Sequence, residues 1–392
     1  MLLRYHSNVE TVSDMRELAP ADTAPEALNG IERPARNKKL LTNIHSFRAL
    51  AIFLIVAGHT FFPLSNATAT RVIVDTLDDS SIFFVFVAGY LFRHLHGDYH
   101  FFGYLRKKFT NVILPYLFVA TPGVILAVGR RHDLLRYPQL AGHHLPFRMA
   151  WFYIHSGAQI NSALWYIPMI TLMYLAAPAL SAVIRNPRWY GVIIPLTALS
   201  MLIHRMPVSE KTDIVHLWLY FLPAYMLGMW FSQFGEELLG GLDRRLGLLL
   251  ILIVACVAAM PILITGHVGN YTESGYFTFE SGIIDWTFLQ KAVLAMLLVV
   301  AFRRLPKAAH RVLAPLGDAS FAIYFVHMYW LALLLRLFPL QGMSGPAANW
   351  QDAHGDLLQW ISFTVATMAL SYATAATVKK LAPRWHRSLI GY

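Results

Sequence analysis

Apolar residues fall in ten runs separated by short polar connections, at about 41 to 63, 80 to 95, 110 to 128, 163 to 184, 190 to 204, 214 to 233, 245 to 265, 287 to 303, 316 to 339 and 357 to 378. Each is long enough, or nearly so, for a helix of ~20 residues to cross ~30 Å of hydrocarbon. The pattern predicts an all-α, polytopic integral membrane protein of about ten transmembrane helices. The fifth run is short, and the connection before it at Asn186 and Pro187 is tight. Residues 1–39 are polar, mixed in charge and without the 7 to 15 residue apolar core of a cleavable signal peptide. They read as a cytosolic, largely disordered tail. Residues 40–380 read as one transmembrane domain, and residues 381–392 as a cytosolic C-terminal tail.

The first run is interrupted by charge. Arg48 and His59 both sit in the stretch from His45 to His59, and an ionisable group at the centre of a membrane helix costs roughly 2.5 to 3.5 kcal/mol on insertion scales. Such groups persist where they face a protein-lined or wet cavity. Eleven steps of ~100° return a helix to within ~20° of its starting direction while advancing about 16 Å. Arg48 and His59 therefore share one face at two depths. His45 joins that face one turn below Arg48, and Ile52 and Ile55 fill the interval.

Composition agrees with the membrane reading. The 392 residues are 56% apolar and 14% charged, where soluble domains run about 45 to 50% and about 25%. The lone Cys256 excludes an intrachain disulfide and argues against a cysteine-based zinc site. The net charge of +10 follows topology. With the N-terminus inside, the inner segments carry Arg33, Arg36, Lys38, Lys39, Arg93, Arg106, Lys107, Lys108, Arg185, Arg188, Arg244, Arg245, Arg303, Arg304, Lys307, Arg311, Lys379, Lys380, Arg384 and Arg387, 20 in all. The outer ones carry 8: Arg71, Arg130, Arg131, Arg136, Arg148, Arg205, Lys211 and Arg336. The positive-inside rule places both termini in the cytosol. Charges dispersed over short loops form no nucleic-acid groove. The outer histidines show no tight metal-binding spacing such as HExxH, so no metal is expected. The outer segments 130–161 and 266–285 are rich in aromatics, Trp151, Phe152, Tyr153, Tyr271, Tyr276, Phe277 and Phe279, with the acids Glu273, Glu280 and Asp285. That chemistry suits sugar binding, although interfacial aromatics also anchor membrane proteins.

Four motifs occur in order: Arg48, ten residues, His59; Phe83-Phe84 through Gly89-Tyr90-Leu91; Arg106-Lys107-Lys108 through Leu114-Pro115-Tyr116; and Tyr324 with His327. With the Leu164-Trp165-Tyr166-Ile167 stretch, they make the chain resemble the membrane-bound acyltransferase-3 family, multispanning enzymes that O-acylate sugars of surface and exported polysaccharides. The resemblance covers about residues 40 to 380. Two positions depart from the family pattern: Ala88 stands where a serine is usual, and Asn111 where a second arginine is frequent.

The resemblance implies transfer of an acyl group, acetyl in the simplest case, from cytosolic acyl-CoA to a sugar hydroxyl outside. It points to His59, Arg48 and His327 as catalytic candidates, with neutral imidazole suited to take the hydroxyl proton. Arg48, Arg106, Lys107, Lys108, Arg303 and Arg304 are the candidates for the acyl-CoA phosphates. Trp165, Tyr166, Phe83, Phe84 and Tyr324 are the candidates for substrate contact. For the oxyanion, the Trp165 N–H, a backbone amide near Gly89 and a protonated His327 stay open. The expected partners are acyl-CoA (acetyl-CoA as donor), a sugar or polysaccharide acceptor, membrane lipid, polysaccharide synthesis or export machinery and a second copy in a homo-oligomer. The expected location is the bacterial inner membrane. The rival reading is a multispanning secondary transporter of a small anionic or sugar solute. Its support is the span number, the buried Arg and His, and the lack of a soluble catalytic module; the ordered motifs stand against it.

Overall fold

The computed structural model describes residues 33–64, 66–129, 140, 142–155, 163–205, 213–235, 239–263, 284–340 and 355–392. The chain divides into two units, Met1–Lys39 and Leu40–Tyr392, and apart from the first residues of one helix everything below concerns the second. All regular structure among the described residues is helical, apart from one parallel bridge between Leu64 and Gly355. The all-α expectation holds. The main helices are α1 (Arg33–His59), α2 (Ala67–Leu77), α3 (Ser81–His94), α4 (Phe101–Lys108), α5 (Leu114–Gly129), α6 (Leu145–His155), α7 (Tyr166–Leu175), α8 (Ala177–Arg185), α9 (Ile193–Ile203), α10 (Ile214–Trp230), α11 (Leu246–Leu263), α12 (Trp286–Phe302), α13 (Lys307–Asp318), α14 (Ser320–Leu337), α15 (Leu357–Leu381) and α16 (His386–Ile390).

Four of these elements are long and apolar enough to cross a membrane: Phe101–Gly129, Ile214–Gly235, Ser320–Leu337 and Leu357–Leu381. The pair α7 and α8 makes a fifth if counted as one span bent by 55°. The protein is an integral membrane protein with four to five such spans among the described residues, fewer than the ten apolar runs predict. The reasons are local. Helix α1 is long, but His45, Arg48 and His59 dilute its apolar face. The run from 80 to 95 gives only the 14 residues of α3. Pro178 lacks the N–H that would continue the α7 ladder, and the chain bends there. Helices α9 and α12 are apolar but short.

Helix α4 joins α5 through a π-helical turn, Phe109–Ile113. The widened turn lets a single 29-residue element pass Pro115, whose missing N–H would otherwise break the ladder. Helix α3 is buried on nearly every side, with Ile82, Phe83, Phe84, Val85, Phe86, Val87 and Tyr90 in the core, as expected of a helix apolar all round. It lies against α10 through two glycines. A Cβ on Gly89 would run into the Tyr225 carbonyl, and one on Gly228 into the Phe86 carbonyl. Small residues at such a crossing let two backbones touch. Gly89 thus serves the packing of α3 on α10. Gly89→Ala is expected to lower the unfolding midpoint in detergent, destabilising by about 1–3 kcal/mol; an unchanged midpoint would contradict this contact. The C-terminal segment is docked, with Ile390 buried and Lys379 Nζ 4.0 Å from the centre of the Tyr392 ring.

Candidate functional site

Helices α1 and α14 are tied together at two levels. At one, Arg48 Nη2 donates to Ser320 Oγ at 2.7 Å, and the guanidinium carbon stands 5.6 Å from the centre of the Phe321 ring. At the other, His59 Nδ1 and His327 Nε2 are 3.0 Å apart with ring centres at 5.1 Å. Eleven residues separate the levels on α1 and seven on α14, so the helices run in the same direction. The difference in rise, about 6 Å at ~1.5 Å per residue, is taken up by the long arginine side chain.

The bonding partners assign the tautomers of the histidine pair. His327 is fully buried, and its Nδ1 lies 2.8 Å from the Tyr324 carbonyl and 3.2 Å from that of Ile323. Carbonyls only accept, so Nδ1 carries the proton, and in the neutral ring Nε2 is left as an acceptor. His59 Nδ1–H therefore donates to it. In a neutral His59, the lone pair is then on Nε2, the nitrogen not engaged by His327. A base oriented by a second group in this way has the geometry used to activate a hydroxyl.

His59 lines a cavity of about 370 Å³. Trp165, Tyr166, Phe84 and Tyr324, four of the five expected substrate residues, line it too. The Tyr324 hydroxyl also donates to the Ala163 carbonyl, which fixes α14 against the start of α7. Trp165 stacks on Phe221 with centroids 5.4 Å apart. The fifth residue, Phe83, lies in the core, edge-on to Phe47.

Arg48 is not among the residues lining the cavity. Phe321 is shared, lying under the guanidinium and forming part of the cavity wall. Among the described residues Arg48 has no carboxylate within ion-pair distance; Asp318, the nearest acid in sequence to α14, instead meets Lys379 at 3.9 Å. Lys108 lies over the rings of Tyr104 and Tyr174, at 5.3 and 4.9 Å. Arg106 and Lys107 are exposed on α4, and Arg303 and Arg304 stand in the turn after α12. The structure does not bring these four to the cavity.

The rest of the lining holds residues that are not among the expected site residues. Asp78, Asp79, Ser80 and Ser81 line the cavity together with Arg205. Arg205 Nη1 donates to Asp79 Oδ1 at 2.6 Å and lies 3.6 Å from Asp78 Oδ1. Its guanidinium carbon is 5.2 Å from the centre of the Trp165 ring. Burial, and after it the adjacent Asp79, raises the Asp78 carboxyl to about 6. Behind Asp79, the Tyr220 hydroxyl is 2.9 Å from Asp79 Oδ2 and 2.8 Å from Asp285 Oδ2. A phenol has one proton to give, so the second short contact requires a proton on a carboxyl. Asp285 is the one that holds it, because Asp79 already answers Arg205. Nearby, the buried Lys291 ammonium donates to the carbonyls of Asp75 and Thr76, closing the C-terminal end of α2.

Backbone strain converges on this wall. Asp79 and His204 are the two non-glycine residues with positive φ among the described residues, at 54° and 55°, and His204 directly precedes Arg205. Each such residue costs roughly 1–3 kcal/mol, and strain of this kind concentrates at functional sites. Of the aromatic outer segments, Phe152 is buried and Tyr153 bonds Thr121, whereas Tyr271, Glu273, Tyr276, Phe277, Phe279 and Glu280 lie outside the described residues. Among the described residues no three His, Cys, Asp or Glu side chains are grouped to hold a metal ion.

Among the described residues, then, a helical membrane fold holds His59 on a cavity wall, oriented by the buried His327 behind it. An acyltransferase-domain family model, Acyl_transf_3, matches residues 41–376. The chain belongs to the acyltransferase-3 family and is a membrane acyltransferase. No curated protein and no solved structure matches it in the same comparisons.

Proposed function

We propose that the protein moves an acyl group, acetyl in the simplest case, from cytosolic acyl-CoA to a sugar hydroxyl of a glycan on the far side of the bacterial inner membrane, with both termini cytosolic and about ten crossings. The observation that carries the reading is His59 on the cavity wall with the buried His327 bonded behind it. His59 Nε2 takes the hydroxyl proton as the sugar oxygen attacks the thioester carbonyl. The carbon–sulfur bond then breaks, and the imidazolium returns the proton to the departing thiolate. The stretched charge distribution fits the same reaction: Arg48, with no carboxylate partner among the described residues, is available to a phosphate of the donor, and the carboxylate-bearing cavity at His59 receives the acceptor. The pantetheine arm is long enough to bridge the ~16 Å between them.

The purified protein is expected to release free thiol from acetyl-CoA in the presence of a glycan acceptor; no release would remove the acyl-transfer reading and favour a transporter. His327 is a positioning residue in this scheme. His327→Ala is expected to reduce kcat by roughly 10²-fold or more while leaving the KM for acetyl-CoA nearly unchanged, as when a base loses the group that sets its tautomer. His327→Gln, which keeps an acceptor for His59 Nδ1–H, should recover part of the rate. Equal kcat in all three forms would show that the pair only packs α1 against α14.

A further inference from the structure

The cavity at His59 has an apolar side that the transfer scheme leaves unused. Leu54 and Gly58 of α1, Phe61 just beyond it, and Val74 and Leu77 of α2 all line the cavity. Leu54, Phe61, Val74 and Leu77 belong to one small apolar cluster built around Ala57, Phe61 and Leu77. The cluster is braced by Trp360, which lies edge-on to Phe61 with ring centres 5.4 Å apart and donates its indole N–H to the Ala57 carbonyl. Gly58 keeps room beside the base. A Cβ placed on it would meet only the Leu77 Cβ, at 3.8 Å, an ordinary contact, so the glycine leaves open a space that a larger residue would take. None of these five residues has a polar side-chain atom. A sugar hydroxyl pressed against them would lose water and gain no hydrogen bond, whereas an alkyl chain gains about fourfold in affinity for each methylene it buries. An acetyl group has no methylene to bury and would leave most of this surface in water.

Resting on the reading of this cavity as the place where the donor carbonyl meets His59, we infer that its apolar side receives the acyl chain of the donor, and that the protein selects a linear acyl group longer than acetyl, of butyryl length. The chain leaves the carbonyl at His59 and runs past Gly58 between α1 and α2, against Leu54, Val74 and Leu77. Gly58 and Leu77 set its length: one keeps the entrance open beside the base, and the other faces it across the gap. The charged part of the lining, Asp78, Asp79 and Arg205, is left to the acceptor. An enzyme separates substrates that differ by one methylene by roughly 10-fold or more when the pocket is shaped to the longer one.

The test needs no acceptor. Acetyl-CoA, butyryl-CoA and hexanoyl-CoA are titrated in turn into the purified full chain in detergent, and the three affinities are compared by isothermal titration. Butyryl-CoA is expected to bind about tenfold or more tighter than acetyl-CoA, the equivalent of two buried methylenes. Gly58→Ala, which favours the helix and fills the space beside His59, is expected to cut that ratio to about threefold or less. Leu77→Ala, which deepens the pocket, is expected to raise the preference for hexanoyl-CoA over butyryl-CoA by about threefold or more. Each ratio is taken within one protein preparation and does not depend on how much of a variant is folded. Equal affinity of the native protein for acetyl-CoA and butyryl-CoA, or tighter binding of acetyl-CoA, would overturn the inference. So would a preference for butyryl-CoA that neither substitution moves, since that is the mark of chain partition into detergent. Absence of binding by all three thioesters would overturn the acyl-CoA reading itself, which separates the two failures.

Discussion

His59→Ala is expected to reduce acyl transfer by 10² to 10⁴-fold in kcat, the usual contribution of a positioned general base, with expression and membrane insertion intact. The expectation rests on the tautomer chain. The Tyr324 and Ile323 carbonyls fix the proton on His327 Nδ1, His327 Nε2 accepts from His59 Nδ1, and the lone pair of His59 Nε2 is left for the substrate. Alanine removes that nitrogen and leaves the buried His327 Nε2 without its donor, a cost of about 1–3 kcal/mol that the variant's unfolding midpoint in detergent reads separately from turnover. The loss should appear in kcat rather than in the KM for acetyl-CoA, since no donor charge is met at this level of α1. Single-turnover transfer in detergent measures it directly, and near-normal turnover by the variant would remove His59 from the mechanism.

Arg48→Ala is expected to weaken acetyl-CoA binding by roughly 10 to 10²-fold, the equivalent of one or two charge-assisted hydrogen bonds. Arg48→Lys should weaken it less, because a lysine keeps the charge but loses the planar fork. The structure sharpens this expectation. The guanidinium is held by a neutral hydroxyl, Ser320 Oγ, and by the face of Phe321, rather than by a carboxylate. Its positive charge is therefore not cancelled by an ion pair among the described residues. Isothermal titration with acetyl-CoA across the three forms is the measurement. Equal affinity in all three would return Arg48 to a structural role in joining α1 to α14.

The part of the site that sequence makes legible is the part built on helical periodicity. Arg48 and His59 share a face because eleven residues make just over three whole turns, and the structure puts both against one helix, α14. Tyr324 and His327 are one turn apart on that helix, inside the apolar run 316 to 339, and Trp165 and Tyr166 stand near the start of the run 163 to 184; the family motifs mark all four. The carboxylate wall was not. Asp79 and Arg205 are 126 positions apart in sequence, both lie between helices, and each looks alone like an ordinary loop charge. The available signal was the run Asp78-Asp79-Ser80-Ser81 immediately before an apolar helix, with Arg205 opening an outer segment that also carries Glu210, Lys211 and Asp213. The family motif brings Phe83 in with Phe84, but neighbouring residues on a helix point ~100° apart, and only Phe84 reaches the cavity. The fold class was legible in the apolar runs. Their division into spans was less so, because runs do not reveal where Pro178 bends the chain or where the Phe109–Ile113 turn lets it continue.

Oriented proteoliposomes test most directly whether the acyl group crosses the bilayer. Radiolabelled acetyl-CoA is supplied only on the face that carries the N-terminus, with a neutral glycan sealed on the other, and label in the glycan is counted. Transfer to the sealed glycan, lost in His59→Ala, is the predicted result. Labelling only when donor and glycan share one compartment would contradict it.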